Sequence, residues 1–395
     1  MSDVIAPKYV LNVLKRLEKH GFSAYLVGGC VRDTLMGRRP NDWDICTSAL
    51  PEEVSAVFPH SRPTGIKHGT ITATVNGSPV EITTFRSDGE YKDHRHPDSV
   101  RFIADLKGDL ERRDFTINAL AMPLSGDICD LFGGREDIEK RLIRCVGNPD
   151  KRFNEDALRM LRAFRFSSVL GFEIEPLTLA AIERNAHLSR GLAKERVRTE
   201  FEKILLSNSP QLISSVIKNG LLSELVTDGS FLPNLARLKM LPQNRTLRWA
   251  GLCALLFNNG IISDVRSFLT SLRLDSALIQ ACSKGCMLVL KEAPENVLSW
   301  KILLSKNGLE TAGCAAAACE MLFGSGHIKR LRGVIKSTEC YSLKQLAVSG
   351  DDLLNLGYRG AELGDVLSSL LEHVLEYPES NEKTFLLNMV KQNND

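Results

Sequence analysis

The 395-residue chain has no apolar run approaching the ~20 residues that span a bilayer, and the apolar stretches at 251–257 and 314–319 are far too short. No membrane is expected. Its first ten residues carry no basic segment followed by an apolar one and a small-residue cleavage site, so a secretory signal is not expected either. Charge of one sign is also lacking: 50 Lys and Arg face 48 Asp and Glu. Net charge therefore points to no partner, and any nucleic-acid surface must be local. The ten cysteines, at 30, 46, 129, 145, 253, 282, 286, 314, 319 and 340, form no paired CxxC frame. They are expected as reduced, mostly buried thiols of a cytoplasmic protein rather than zinc ligands. No repeat recurs with a period of about 20–50 residues, which excludes a solenoid. What remains is an ordinary globular composition, 43% hydrophobic and 25% charged, which excludes disorder as the main state. The length implies two or more domains.

Residues 10–20 carry apolar side chains at helical spacing and stop at Gly21, a helix-ending glycine. A strand is expected over 22–27, followed at once by Gly28-Gly29 and a helix through Met36. A second strand is expected over 43–47, and a helix over 50–57 entered through Ser48 and Pro51. Residues 71–75 and 80–85 alternate on either side of Asn76-Gly77, a strong hairpin signal. Residues 87–98 break all periodicity and read as a loop. From about Asp137 strand signals fade. The segments 153–166, 176–185 and 194–206 have three- and four-residue apolar spacing, and 210–390 is helical in character. The expected fold class is α+β, an N-terminal head of mixed sheet and helices followed by a long helical extension.

The tetrapeptide Asp42-Trp43-Asp44-Ile45 carries the most chemistry. On a strand, alternate residues share a face, which places Asp42 and Asp44 together and sends Trp43 and Ile45 into the core. Two like charges ~7 Å apart gain nothing structurally, and a divalent cation removes the conflict. An isolated pair of this kind is usually a solvated turn, but this one is not isolated. Gly28-Gly29 ends a strand and opens a helix, the arrangement that aims free backbone N–H groups at a phosphate. Arg32, one turn on, adds a guanidinium to the same place. Glu81 lies out of phase with Val80 and Ile82, so it is a candidate third carboxylate or a solvated strand residue. His68 stands beside the strand pair, while the spacing of His94 and His96 in the loop allows metal binding but a solvated loop is expected.

Gly28-Gly29, twelve residues, then Asp42-Trp43-Asp44 resembles the signature of the polymerase-β-like nucleotidyltransferase superfamily. The string from Val27 to Asp33 is similar to the class II tRNA nucleotidyltransferases. The stretch Arg112-Arg113-Asp114-Phe115-Thr116-Ile117-Asn118-Ala119 resembles that family's second motif, which contacts the nucleotide's sugar and triphosphate. Asp130-Leu131-Phe132-Gly133-Gly134 resembles its hinge motif. Glu155-Asp156-Ala157-Leu158-Arg159, continuing to Arg162 and Arg165, resembles its nucleotide-selecting helix. A weaker likeness reaches Ser349-Gly350-Asp351-Asp352-Leu353-Leu354.

Asp156 and Arg159 are three apart and are expected as neighbours on one helix face. A carboxylate beside a guanidinium presents an acceptor and donors on one edge. That edge matches N4 and N3 of cytosine and N6 and N1 of adenine. Uracil and guanine place a carbonyl where the amino group would be, leaving acceptors unpaired. The alternative is a plain surface salt bridge.

The resemblance implies transfer of CMP, CMP and AMP from CTP and ATP to the 3′ end of tRNA. Asp42 and Asp44 would bind Mg²⁺, with Glu81 a possible addition. Gly28, Gly29, Arg32 and Arg113 would hold the triphosphate, with Asp114 in the same nucleotide-binding motif. Asp156 and Arg159 would read the base, supported by Arg162 and Arg165. It also implies a head over 1–145, a helical neck over 146–207, a body over 208–275 and a tRNA-binding tail over 276–395. Related activities stay open: an A-adding enzyme, a CC-adding enzyme or a poly(A) polymerase. So does the choice between monomer and homodimer.

Overall fold

The computed structural model describes residues 6–65, 69–89, 100–227, 231–290, 293–337 and 339–392. The chain divides into two units, one of Met1–Ile204 with Ser215–Ser223 and one of Leu205–Ser214 with Glu224–Asp395.

The first unit runs α1 (Lys8–Lys19), β1 (Ala24–Val27), α2 (Gly29–Leu35), β2 (Asp44–Thr47), α3 (Pro51–Val57), β3 (Ser61–Gly65), β4 (Thr70–Val75), β5 (Ser78–Thr84), β6 (Arg86–Asp88) and β7 (Val100–Phe102). It continues with α4 (Leu106–Glu111), β8 (Leu120–Met122), β9 (Cys129–Asp130), α5 (Gly134–Glu139) and β10 (Leu142–Ile143). Then come α6 (Pro149–Glu155), α7 (Leu158–Leu170), β11 (Glu173–Ile174), α8 (Pro176–Asn185) and α9 (Lys194–Leu205). Seven strands form one sheet in the order β3-β4-β5-β2-β1-β8-β9. Within this sheet, among the described residues, only β2 and β5 pair in parallel, with Asp44 opposite Glu81 and Ile45 opposite Ile82.

Strand alternation gives the sheet two covered faces. Leu26, Ile45, Ile82 and Leu120 point to one, where α1 lays down Val10, Val13, Leu14 and Leu17 and α3 adds Val54 and Val57. Val27, Cys46 and Ala121 point to the other, under Phe85, Leu110 and Val146. Each large side chain buried this way contributes roughly 1.5–3 kcal/mol. The expected hairpin is present: Asn76 and Gly77 both take positive φ, 51° and 77°, between β4 and β5.

Four expectations change. β2 begins at Asp44, so Asp42 and Trp43 precede the strand rather than lie on it. Ser87 and Asp88 are not loop but part of β6, antiparallel to β7; the rest of the expected loop from residue 90, with His94 and His96, and also His68, lies outside the described residues. A short parallel pair, β10 with β11, follows Asp137, where no strand is expected. Finally, the helix expected over 153–166 is two helices, because Asp156 is extended at φ −141° and ψ 103°.

The second unit is helical: the start of α10 (Leu212–Lys218, whose residues from Ser215 on belong to the first unit), α11 (Arg245–Asn258), α12 (Val265–Ser271), α13 (Ser276–Val289), α14 (Val297–Leu322), α15 (His327–Lys336), α16 (Gly350–Asn355), α17 (Gly360–Glu376) and α18 (Lys383–Gln392). Its helices start where short polar residues accept the first free N–H groups, as Asn244, Asp264, Asp275 and Ser349 do. Trp249 and Trp300 are fully buried. Among the described residues no helix is long and apolar enough to cross a membrane. All ten cysteines are free thiols, and all but Cys129 are buried.

Candidate active site

The first unit carries a cavity of about 540 Å³ whose lining includes seven arginines, four aspartates, Asn118, Phe166 and the pair Gly28-Gly29. Of the residues expected to form a site, Gly28, Gly29, Arg32, Asp42, Asp44, Arg113, Asp114, Asp156, Arg159, Arg162 and Arg165 all face it. Glu81 does not line it, although its backbone is directly opposite Asp44.

β1 delivers the chain to the cavity floor and Gly28 turns it into α2. Gly28 has φ 76° and ψ −132°, which favours glycine, and a Cβ there would lie 3.1 Å from Arg113 Nη1. The missing side chain thus lets an arginine approach the turn. Arg32 follows on α2. Its Nε and Nη2 donate to Asp33 at 2.9 and 2.7 Å, and its Nη1 donates to Asn118 Oδ1 at 2.6 Å.

Asn118 passes the connection on, its Nδ2 donating to Asp114 at 3.1 Å. Arg162 of α7 completes the chain, donating to Asp114 at 2.8 Å through Nε. The relay Arg32–Asn118–Asp114–Arg162 therefore fastens α7 to α2 across the cavity. Burial pushes the Asp114 carboxyl up, but Arg162 and the Asn118 hydrogen bond reverse this and hold it well below the ordinary carboxylate range.

Arg112 and Arg113 are fixed from behind. The fully buried Asp109 accepts from Arg112 Nη2 at 2.7 Å and from Arg113 Nη2 at 3.2 Å. Burial raises this carboxyl too, and the two guanidinium groups bring it down to a lowered value. Arg113 Nε is buried with no hydrogen-bond partner. An unmatched donor of this kind costs roughly 1–3 kcal/mol in a folded protein, a cost that binding an anion would remove.

The Asp44 carboxyl is raised, first by burial, then by the charge of Glu81, with Arg113 opposing and Asp42 adding to the rise. Glu81 in the middle of β5 and Asp42 just before β2 thus both act on Asp44 at the start of β2. Among the described residues no three such side chains already converge as a metal cage. All the donors are carboxylate oxygens, the kind a hard divalent cation takes, and magnesium-type ions use one or two of them with water and substrate phosphate filling the rest. The residues fit such an ion.

Asp156 and Arg159 do not pair with each other. Asp156 sits in the break between α6 and α7, where it accepts from Leu158 N–H at 3.1 Å and from Arg196 of α9 at 3.3 and 2.8 Å. Arg159 donates to Glu155 at 2.5 Å, and to the carbonyls of Arg152 and Arg112 at 3.1 and 2.9 Å. The expected helical-face neighbours are thus presented separately, each held by another partner. A non-helical Asp156 is the reason. Arg165 pairs with the buried Glu200 of α9 at 2.7 Å.

Sequence reasoning misses Arg196, Glu200 and Phe166. Arg196 and Glu200 stand four apart in the charged helix α9, which reads from sequence as an amphipathic surface helix with its own salt bridges. Nothing local reveals that they face Asp156 and Arg165. The hinge-like Asp130 caps the start of α5, accepting from Gly134 and Arg135 N–H at 2.9 and 2.8 Å.

Three family models match along the chain: the poly A polymerase head domain over residues 24–144, a probable RNA- and SrmB-binding site of polymerase A over 171–230, and a tRNA nucleotidyltransferase domain 2 over 241–390. The CCA-adding enzyme of Limosilactobacillus fermentum is 38% identical over 389 residues, covering 95% of this chain and 94% of that one. That of Geobacillus kaustophilus is 38% identical over 386 residues, covering 94% of each. The crystal structure of the Bacillus stearothermophilus CCA-adding enzyme in complex with CTP superimposes with a TM-score of 0.77 at 35% identity, over 99% of this chain and 100% of that one.

Proposed function

The chain belongs to the CCA-adding tRNA nucleotidyltransferases, and on that premise we propose that the arginine-rich cavity of its first unit is where the reaction takes place. The enzyme adds CMP, CMP and then AMP from CTP and ATP to the 3′ end of tRNA, with no nucleic-acid template. In each cycle the terminal hydroxyl oxygen bonds to the α-phosphorus, and the bond to the bridging oxygen of pyrophosphate breaks. The observation that carries this reading is that one cavity gathers seven arginines beside Asp42 and Asp44.

Enzymes of this family depend on a divalent metal, which we take to be Mg²⁺, and Asp42 and Asp44 would hold it, with Glu81 as a candidate third carboxylate. When bound, such an ion draws charge from the α-phosphoryl oxygens and favours the ionised hydroxyl. The protein's own part is to position and neutralise. Arg32, Arg113 and the Gly28-Gly29 turn would hold the triphosphate, and the unmatched Arg113 Nε would gain an acceptor there. Asp114, clasped between Asn118 and Arg162, would lie beside the sugar. Asp156 and Arg159 would read the amino edge of cytosine or adenine, held in place by Arg196 and Glu155 and supported by Arg162 and Arg165. Residues 1–145 form the head in this reading, 146–207 the neck, 208–275 the body and 276–395 the tail that meets the RNA backbone. The use of tRNA in translation supports a cytoplasmic location.

The test offers each nucleotide singly to tRNA ending at the discriminator base, at –C and at –CC. The expected additions are C, C and A in turn. Addition of C only or of A only would assign a partial activity, and untemplated A runs on any RNA would assign a poly(A) polymerase; any of these overturns the reading.

A further inference from the structure

One aromatic ring lies among three of the cavity's arginines. Phe166, near the middle of α7, is 5% exposed yet faces the cavity. The guanidinium carbon of Arg165 is 3.6 Å from its ring centroid, that of Arg32 is 5.3 Å away and that of Arg162 is 5.4 Å away. These cations come from two separate elements, α2 and α7. Each has a carboxylate of its own, Asp33, Asp114 or Glu200. Asn118 and Asp114 link Arg32 to Arg162, but among the described residues it is the ring that all three guanidinium groups face. Behind it, the Phe115 ring of the Arg112–Ala119 segment meets it edge to face, at 5.7 Å and 80°, so its plane is set by the core.

Three positive groups gathered on one wall repel one another, and long arginine side chains separate when nothing opposes that. An aromatic face carries negative charge density and attracts a guanidinium within about 6 Å of its centroid, more strongly where water is excluded. We propose that Phe166 is a positioning residue for nucleotide binding: its ring gathers Arg32 of the triphosphate site with Arg162 and Arg165, the supports of the base-reading pair, into one preorganised cradle for the nucleotide. The proposal rests on the cavity being the nucleotide site and adds what holds that site's cations in register. A cradle assembled before the substrate arrives lowers the ordering cost of binding. Its loss should therefore appear in KM for both nucleotides and leave the choice between them unchanged, because the base edge is read by other groups.

The experiment replaces Phe166 with phenylalanines bearing one, two and three ring fluorines. These keep the ring's shape and burial while draining its face of charge. Phe166→Leu is made alongside, and all are assayed for CMP addition to tRNA ending in –C and for AMP addition to tRNA ending in –CC. KM for CTP and for ATP should rise stepwise with fluorination, reaching about tenfold with three fluorines. The expected kcat stays within about twofold, the thermal midpoint is unchanged, and Phe166→Leu behaves at least as badly. Competitive inhibition by inorganic tripolyphosphate, which has no base to be read, should weaken in parallel. KM and tripolyphosphate inhibition that do not respond to fluorination would overturn the proposal and leave the ring as core packing. A wild-type enzyme that extends no tRNA would instead overturn the functional reading itself, so the two failures are distinguishable.

Discussion

Arg196→Met should relax nucleotide choice while leaving the fold intact. The two Nη atoms of Arg196 grip both oxygens of Asp156, and among the described residues the other donor in that grip is the Leu158 N–H. Asp156 is extended between two helices, so its side chain is not steadied by a helical neighbour. A hydrogen bond to a charged group is worth ~1.5–3 kcal/mol. The two side chains are 28% and 18% exposed, and solvent screening trims the figure to about 1–2 kcal/mol. If that energy serves to hold Asp156 against the base, the ratio of kcat/KM for correct over incorrect nucleotide falls about five- to thirty-fold. Methionine retains an unbranched apolar stem, which separates loss of the guanidinium from loss of packing. The assay is kcat/KM for all four nucleotides on tRNA ending in –C and in –CC. An unaltered ratio in a folded variant refutes the reasoning. A double-mutant cycle read from urea midpoints gives a second check. Asp156 should couple to Arg196 by about 1 kcal/mol and to Arg159 by close to zero; the reverse pattern would mean that the sequence neighbours pair after all.

Asp42→Ala or Asp44→Ala should abolish both CMP and AMP transfer in single-turnover assays and leave tRNA affinity within a few-fold by filter binding; retained transfer by either variant would remove that residue from the chemistry. Gly134→Ala places a Cβ 2.3 Å from the Thr116 carbonyl oxygen, so it should lower the thermal midpoint by the equivalent of ~1–3 kcal/mol. Gly133→Ala meets nothing within 4 Å and should cost only about 1 kcal/mol for its φ of 77°; equal midpoints for the two would contradict this. Asp109 and Asp114 have carboxyls lowered by their arginines against the pull of burial. A folded value below the unfolded one adds stability that is present above about pH 3.9 and is lost as pH falls toward the folded value. The urea midpoint should therefore fall progressively as pH drops below about 4, and a flat profile there would show that these carboxylate–arginine contacts do not stabilise the fold.

Local chemistry was enough to find the elements whose signal is carried by adjacent residues. Asn76-Gly77 makes its own turn, Gly28 admits a positive φ, and Pro51 starts a helix, whatever else the chain does. The motif residues could be named for the same reason, since the Gly28-Gly29 turn makes a phosphate-binding corner and Asp42 and Asp44 stand two apart in the chain, although only Asp44 lies on a strand. Elements that exist only through a distant partner gave no such signal. β10 and β11 are two residues each and are strands because Leu142 and Ile143 pair with Glu173 and Ile174. Ser87 and Asp88 look like loop residues until Val100 and Arg101 lie beside them.

Arg159 was legible as a site residue, but its partner was not. Helical periodicity extends through 153–166, so Asp156 and Arg159 read as one face, whereas tertiary contacts to Arg196 and to the Arg112 carbonyl reward a break at Asp156. The sequence by itself determined the α+β class, the order of the motifs and the residue types that can bind metal, phosphate and base, because those depend on side-chain chemistry and on spacings of two to four residues. Only the tertiary structure decided which charges pair, which carboxyl is raised and which are lowered, and that a phenylalanine sits among three arginines. Several of the deciding contacts join residues far apart in the chain, Asp44 with Glu81, Asp156 with Arg196, Asp114 with Arg162, and Arg32 with Asn118 and Phe166, and electrostatic energy follows distance in space and burial, not distance along the sequence.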